Sequence, residues 1–191
     1  VLAGGMGTRL YPLTKVTNKH LLPIGSFPMI HYPIISMTNA GIEDIMIISG
    51  TGHVGNMIDF LGSGQDYECN FTFKVQDKPD GIAGALKLCR DFVHNDNCLV
   101  MLGDNVFDKD LSEDVCNFKD DIKLFLKEVD DPKRFGVAVF NKDDKLVKIE
   151  EKPKKPKSNL ACMGVYMYSS KVFDSLKKIK KSPRGEYEIS S

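Results

Sequence analysis

The chain has 191 residues, 42% of them hydrophobic and 27% charged, and its 26 basic residues balance 26 acidic ones to a net charge of zero. That length supports one domain with a sizeable core, and the balanced charge speaks against nucleic acid or an anionic membrane surface as a partner. No apolar run is long enough to span a bilayer, and no signal peptide precedes the first glycines. Cys69, Cys89, Cys98, Cys116 and Cys162 are odd in number and form no C-x-x-C pair. They read mostly as small buried hydrophobes in a reducing, cytoplasmic compartment.

Glycine dominates the opening stretch. Val1-Leu2-Ala3 reads as the tail of a buried strand, and both chain ends read as clipped. Gly4, Gly5 and Gly7 follow, with Met6, Thr8 and Arg9 among and behind them. Glycines at this density let the backbone turn sharply and bring its N–H groups close to a ligand that a Cβ would hold off. Successive N–H groups form an anion-binding concavity, and the planar Arg9 fork suits phosphate oxygens. Two familiar fingerprints fail: the third glycine of the dinucleotide pattern is missing, and no Gly-Lys-Ser/Thr follows. Pro12 argues against a helix starting directly behind the loop. The glycines alone fit a tight strand-to-helix connection as well as they fit a polyphosphate cradle.

Residues 13–19 read as irregular. Ile30, Ile34 and Met37 at helical spacing predict a helix over 27–40, with Gly41 as its C-cap. The continuous apolar run 44–49 predicts a strand covered on both faces. A short helix over 54–61 closed by Gly62, an alternating strand over 70–76, and an amphipathic helix over 82–93 come next. Residues 97–102 read as a further buried strand, ending in Gly103-Asp104-Asn105. This alternation predicts an α/β domain with a mainly parallel sheet. The second half changes character, with strands over 123–129, 135–140, 146–150 and 161–168 joined by turns such as Asn141-Lys142-Asp143-Asp144. A basic, proline-punctuated link covers 152–157, and a helix is expected over 171–179.

Ligands of open parallel sheets sit outside the carboxyl ends of the strands, where the glycine loop and Asp104 both fall. A carboxylate there can hold Mg²⁺, which takes one or two carboxylates plus substrate phosphates, or it can cap a turn. Lys19, ahead of Leu21-Leu22-Pro23, can reach back to the loop or stand on the surface. Gln76, before Pro79-Asp80-Gly81, offers a donor and an acceptor to the edge of a pyrimidine or a sugar. Glu150-Glu151-Lys152 joins acceptors for sugar hydroxyls to a cation for a phosphate, and fits a solvated strand end equally well. His31 falls inside a predicted helix and reads as packing. No His/Cys/Asp set has metal spacing.

In chain order, Leu2-Ala3-Gly4-Gly5-Met6-Gly7-Thr8-Arg9-Leu10, Lys19-His20-Leu21-Leu22-Pro23, Pro28-Met29-Ile30, Gln76 with Pro79-Asp80-Gly81-Ile82-Ala83, and Leu102-Gly103-Asp104-Asn105 stand at separate places. Arg134-Phe135-Gly136-Val137, Glu150-Glu151-Lys152-Pro153 and Ser182-Pro183-Arg184-Gly185-Glu186 follow. Together they resemble the sugar-phosphate nucleotidyltransferases over nearly the whole chain, and the glucose-1-phosphate thymidylyltransferase branch most of all.

The resemblance implies a Rossmann-like single domain, with helices on both faces of its sheet. Residues 1–118 would form a nucleotide-binding half and residues 119–191 a smaller, β-rich sugar-phosphate-binding half. It also implies joining of a nucleoside triphosphate, dTTP first, to a sugar 1-phosphate, glucose 1-phosphate first, with pyrophosphate released and Mg²⁺ as cofactor. A UTP-dependent uridylyltransferase or another NDP-sugar pyrophosphorylase is the nearest alternative, and a nucleotide-sugar-binding module without turnover is the next. Under the resemblance Leu2, Ala3, Gly4, Gly5, Met6, Gly7, Thr8 and Arg9 cradle the triphosphate, and Lys19 touches its phosphates. Gln76 and Gly81 match positions that read the pyrimidine, and Asp104 matches a Mg²⁺ ligand. Gly136, Glu151 and the backbone near Cys162 match sugar-binding positions. Lys152 matches the lysine on the sugar phosphate, and Arg184 a further arginine near the phosphates.

Arg9, Lys19 and Lys152 then act by neutralising charge. The second pKa of a phosphate monoester is about 6, so the attacking oxygen is already anionic near neutral pH and needs no general base. The chain departs from the pattern in three places. It has no tryptophan and so lacks the family's Trp-x-Asp-x-Gly motif, whose aspartate is the second metal ligand; Ser190-Ser191 follow Ile189 where the family usually carries a further aspartate; and His20 stands where thymidylyl enzymes often carry Gln. The expected partners are small-molecule substrates, and self-association into a homo-oligomer stays open.

Overall fold

The computed structural model describes residues 1–181 together with Gly185 and Tyr187. The chain enters as β1 (Leu2–Ala3) and passes through short 3-10 turns rather than an α-helix, as Pro12 requires. A small hairpin, β2 (Pro23–Ile24) and β3 (Phe27–Pro28), leads into α1 (His31–Asn39). The helix predicted over 27–40 therefore starts four residues late, because Phe27 and Pro28 pair with Ile24 and Pro23. It ends as expected: Gly41 has φ +79°, and its N–H bonds the Thr38 carbonyl at 2.9 Å while Ile42 bonds Met37 at 3.1 Å.

Next come β4 (Asp44–Gly50), α2 (Val54–Leu61) and β5 (Asn70–Gln76). The amphipathic stretch after them is broken into α3 (Ile82–Lys87) and α4 (Arg90–Val93). The break has a local cause: at Leu88 and Cys89 the backbone bonds tighten to the third residue back, Ala85 and Leu86. β6 (Cys98–Met101), the short α5 (Ser112–Cys116), β7 (Ile122–Glu128), β8 (Gly136–Phe140), β9 (Leu146–Glu151), β10 (Leu160–Tyr168) and α6 (Val172–Leu176) complete the order. Periodicity did not signal α5, which has only five residues.

The first half is parallel. β4 is flanked by β1, with Leu2 opposite Ile48, and by β5, in register from Asp44 opposite Asn70 to Gly50 opposite Gln76. A parallel bridge from Leu2 to Leu102 joins β1 to the end of β6. The second half is antiparallel around β10, which pairs β6, β7 and, at Ala161, β8, while β8 and β9 pair with each other. The turn between β8 and β9 is closed by Asn141, whose side-chain oxygen accepts from the Asp143 and Lys145 N–H groups at 3.0 Å each. A connection that short can join only antiparallel neighbours.

Alternation along β4 sends Ile45 and Ile47 into one core, with Ile34, Met37 and Met57 of α1 and α2. Met46 and Ile48 go into the other, with Leu86 of α3 and Phe173 of α6. Helices thus cover both faces. Burying each such Ile removes it from water for about 1.5–3 kcal/mol.

Candidate active site

The parallel strands all end on one edge, so Ala3, Gly50, Gln76 and the Leu102-Gly103-Asp104 segment after β6 come together there. A cavity of about 240 Å³ opens at this edge, lined by Leu2, Gly4, Gly5, Lys19, His20, Gln76, Pro79, Gly81, Ile82, Ala85, Leu102 and Asp104. Gly4 lies against Gln76: a Cβ built on it would stand 2.6 Å from the Gln76 Oε1. Gly7 turns the chain in the left-handed region, at φ +61°, and its carbonyl accepts from Leu10 N at 2.9 Å and Thr14 Oγ1 at 2.8 Å.

Lys19 and His20 are held by a buried asparagine. Asn18 Nδ2 donates to the Ala3 carbonyl at 3.2 Å, and its Oδ1 accepts from the His20 N–H at 2.9 Å. The His20 Nδ1 lies 2.6 Å from the same Oδ1, so Nδ1 carries the ring proton, an assignment that follows from its partner. Burial, reinforced by the Lys19 charge, pushes the His20 pKa down to about 3 against a weaker upward pull from Asp104. His20 is therefore neutral, and it lines the cavity as a buried, uncharged ring.

Lys19 Nζ meets Asp104 Oδ2 at 2.5 Å. Burial pulls the Asp104 carboxyl up, but the hydrogen bond and charge of Lys19 outweigh it and hold the group below the ordinary carboxylate range. Gln76 is buried and donates Nε2 to Asp80 Oδ1 at 2.9 Å and to the Gly81 carbonyl at 3.5 Å.

On the second half, Gly136 at the start of β8 pairs with Glu151 at the end of β9. Lys152 Nζ lies 3.5 Å from Glu151 Oε1, and the Lys152 N–H bonds the Phe135 carbonyl at 2.9 Å. Cys162 is half-buried on β10, and burial pushes its thiol up, as does the nearby Glu151 charge. Asn105, next to Asp104, donates Nδ2 to the Met163 carbonyl at 2.5 Å and so ties the end of β6 to β10 beside Cys162.

The cavity thus gathers Leu2, Gly4, Gly5, Lys19, Gln76, Gly81 and Asp104. Ala3, Met6, Gly7, Thr8, Arg9, Gly136, Glu151, Lys152 and Cys162 lie outside its lining; Arg9 is exposed and has no ion-pair partner among the described residues. Arg184 lies outside the described residues. Asn18 and Asp80 were missed as functional supports by sequence reasoning. Asn18 had a usable signal, since an asparagine ahead of a turn that accepts from the N–H two residues on is an ordinary cap.

A larger cavity of about 670 Å³ lies at the opposite ends of the strands, around Val1, Met46, Val93 and Val100. Among the described residues no lysine or arginine lines it, and it sits away from the strand ends where α/β sheets take ligands.

The sequence model described as "Nucleotidyl transferase" matches residues 1–191. Glucose-1-phosphate thymidylyltransferase of Neisseria meningitidis serogroup A is 40% identical over 200 residues, covering 100% of this chain and 67% of the relative. The enzyme of the same name from Xanthomonas campestris pv. campestris is 42% identical over 193 residues, covering 99% of this chain and 65% of its own length. A Bacillus anthracis crystal structure named for glucose-1-phosphate thymidylyltransferase, solved with sucrose, superposes with a TM-score of 0.91 at 54% identity, over 99% of this chain and 78% of that one. A UDP-glucose pyrophosphorylase complexed with UDP-glucose shares the fold, with a TM-score of 0.83 at 24% identity over 99% of this chain and 82% of that one. This chain spans about two thirds of the length of the curated relatives. With the expected sheet and a family match that covers residues 1–191, the chain belongs to the nucleotidyl transferase family.

Proposed function

We propose that this chain carries the core of a glucose-1-phosphate thymidylyltransferase, which joins dTTP and glucose 1-phosphate into an NDP-sugar with release of pyrophosphate. The observation that carries the reading is one cavity at the carboxyl edge of the parallel strands that unites backbone of Gly4 and Gly5, the Lys19 cation, the Asp104 carboxylate and the Gln76 amide.

The chemistry asks for charge neutralisation and alignment more than for proton transfer. The sugar phosphate attacks as an anion, and the α-phosphate it approaches is anionic too. Lys19, Arg9 and the glycine-loop N–H groups would hold the triphosphate, Lys152 the sugar phosphate, and the fold would keep the two in line. Glu151 would accept sugar hydroxyls, and the Gln76 amide with the Gly81 backbone would read the base. Asp104 fits Mg²⁺ as a single carboxylate ligand beside substrate phosphates, the way this hard cation is usually held; the ion would supply further neutralisation of phosphate charge. Among the described residues no group of three His, Cys, Asp or Glu side chains could hold a metal by itself. No helix among the described residues is long and apolar enough to cross a membrane. The free cysteines suit a reducing, cytoplasmic setting, with small molecules as partners.

Pyrophosphate release with glucose 1-phosphate, Mg²⁺ and each triphosphate in turn tests the reading, on this chain and on one reaching the full length of its relatives. Release with dTTP is expected. Triphosphate binding without release in both chains would favour a nucleotide-sugar-binding module, and release with UTP alone would move the assignment to a uridylyltransferase.

A further inference from the structure

We propose that Asp80 is a positioning residue for base selection: it fixes which end of the Gln76 amide faces the cavity, and so favours a pyrimidine that offers an N3–H donor. This rests on the nucleotidyl-transfer reading and deepens it.

The oxygen and nitrogen of a side-chain amide are told apart by their partners rather than by shape. Gln76 Nε2 faces the Asp80 carboxylate at 2.9 Å and the Gly81 carbonyl at 3.5 Å. Both partners only accept hydrogen bonds, so the NH₂ must turn toward them. Oε1 then points away, against Gly4, on the wall of the cavity. The site therefore shows an acceptor to whatever enters. Uracil and thymine present an N3–H donor, whereas cytosine turns a lone pair outward at N3. A donor satisfies Oε1; a second lone pair leaves two acceptors facing each other in a partly buried place.

Asp80 is itself firmly set. Its carbonyl accepts from Tyr187 N at 2.6 Å, and the Tyr187 carbonyl accepts from Ala83 N at 3.1 Å, so Tyr187 brackets the turn from both sides. The Tyr187 ring lies 3.7 Å beneath Lys87 Nζ. Gly84 leaves the carboxylate its room: a Cβ there would stand 2.0 Å from Asp80 Oδ1. Aspartate at 80 and glycine at 84 form one device, and the Gln76 orientation is its output.

Calorimetric titration of this chain with dTTP and with dCTP tests the assignment. Wild type is expected to bind dTTP about tenfold or more tighter than dCTP, the worth of one good hydrogen bond against a lone-pair conflict. Asp80→Asn, near in shape but able to donate, frees the Gln76 amide to flip, and the ratio should fall toward unity. A merely structural role would weaken both nucleotides alike and keep the ratio, which would overturn the proposal. Equal binding of the two by wild type would overturn it as well. No binding of any triphosphate by wild type would sink the nucleotide reading and this proposal with it. Should Asp80→Asn not fold, the wild-type ¹H–¹⁵N spectrum decides. With ¹⁵N-labelled dTTP the thymine N3–H should appear as a protected imino resonance, as a donor held by Gln76 Oε1 would, and its absence would overturn the proposal.

Discussion

Lys19 and Asp104, 85 residues apart in the chain, close an ion pair of 2.5 Å at the edge of the strand-end cavity. Each is a group that the proposed chemistry would direct elsewhere, Lys19 to phosphate and Asp104 to a cation, and in the free protein each neutralises the other. The pair has a measurable signature. Burial acts to raise the Asp104 pKa, and Lys19 more than cancels it, so the folded value lies below the ordinary 3.8. A depressed carboxyl contributes stability that is present above the unfolded value and lost as pH falls through the folded one. Lys19→Met removes the cation and leaves the burial, so Asp104 should titrate above 3.8 in that variant. A side-chain ¹³C titration of Asp104 reads this directly, and an unmoved titration would mean that the pair does not form in solution.

His20 gives a prediction of opposite sign to the usual histidine. Its folded pKa is depressed from 6.5 to about 3 by burial and the Lys19 charge. The unfolded chain therefore takes up a proton below 6.5 that the native state refuses, and stability falls with falling pH across that window. The slope is about 1.4 kcal/mol per pH unit once the window is entered. His20→Gln removes the titrating group, so denaturant midpoints between pH 6 and pH 4 should decline less steeply than in wild type. Parallel declines in the two proteins would show that His20 is protonated or exposed.

Much of the fold was legible, and the reasons for the rest are local. The strand over Asn70–Gln76 and the helix over Val54–Leu61 stand where periodicity put them, because alternation and a closing glycine marked their limits. The helix start at His31 and the break at Leu88-Cys89 were not readable, since hairpin pairing and a tightened turn decide them rather than hydrophobic spacing. For the cavity, glycine density and the strand-end rule brought Gly4 and Asp104 to one edge. Lys19 and Gln76 each fitted an ordinary surface residue until the order of motifs was considered. Asp80 carried no signal of its own, because its meaning lies in contacts with Gln76, Gly84 and Tyr187 that sequence spacing does not encode.

Two glycine substitutions separate close approach from mere permissiveness. A Cβ on Gly4 would stand 2.6 Å from Gln76 Oε1, so Gly4→Ala must displace the amide. Triphosphate binding should weaken by about tenfold, the loss of one good hydrogen bond. Gly55 lies exposed in α2, with no atom within 4 Å of its would-be Cβ. Gly55→Ala should therefore leave binding unchanged and stabilise the fold by roughly 0.5–1 kcal/mol through better helix propensity. Calorimetry and thermal melts of both variants check the pair, and weakened binding in Gly55→Ala would show the comparison to be uninformative about Gly4.

Lys152 combines a strained backbone with an easily surrendered partner. It adopts φ +43° just after β9, a left-handed conformation that costs a non-glycine residue roughly 1–2 kcal/mol. Its ion pair with Glu151 is 3.5 Å long and 41% exposed on the lysine side, the kind of contact that contributes little and yields readily to a phosphate. Strain retained at a cation is what a binding role would maintain. Lys152→Gly removes the backbone cost and the cation together, so the melting temperature should rise slightly while glucose 1-phosphate binding is lost and dTTP binding stays within about twofold, a change of under half a kcal/mol. Lys152→Ala keeps the strain and drops the charge, so it should lose the same binding with no gain in stability. A glycine variant that melts lower, or one that still binds the sugar phosphate, would remove Lys152 from the sugar-phosphate side of the site.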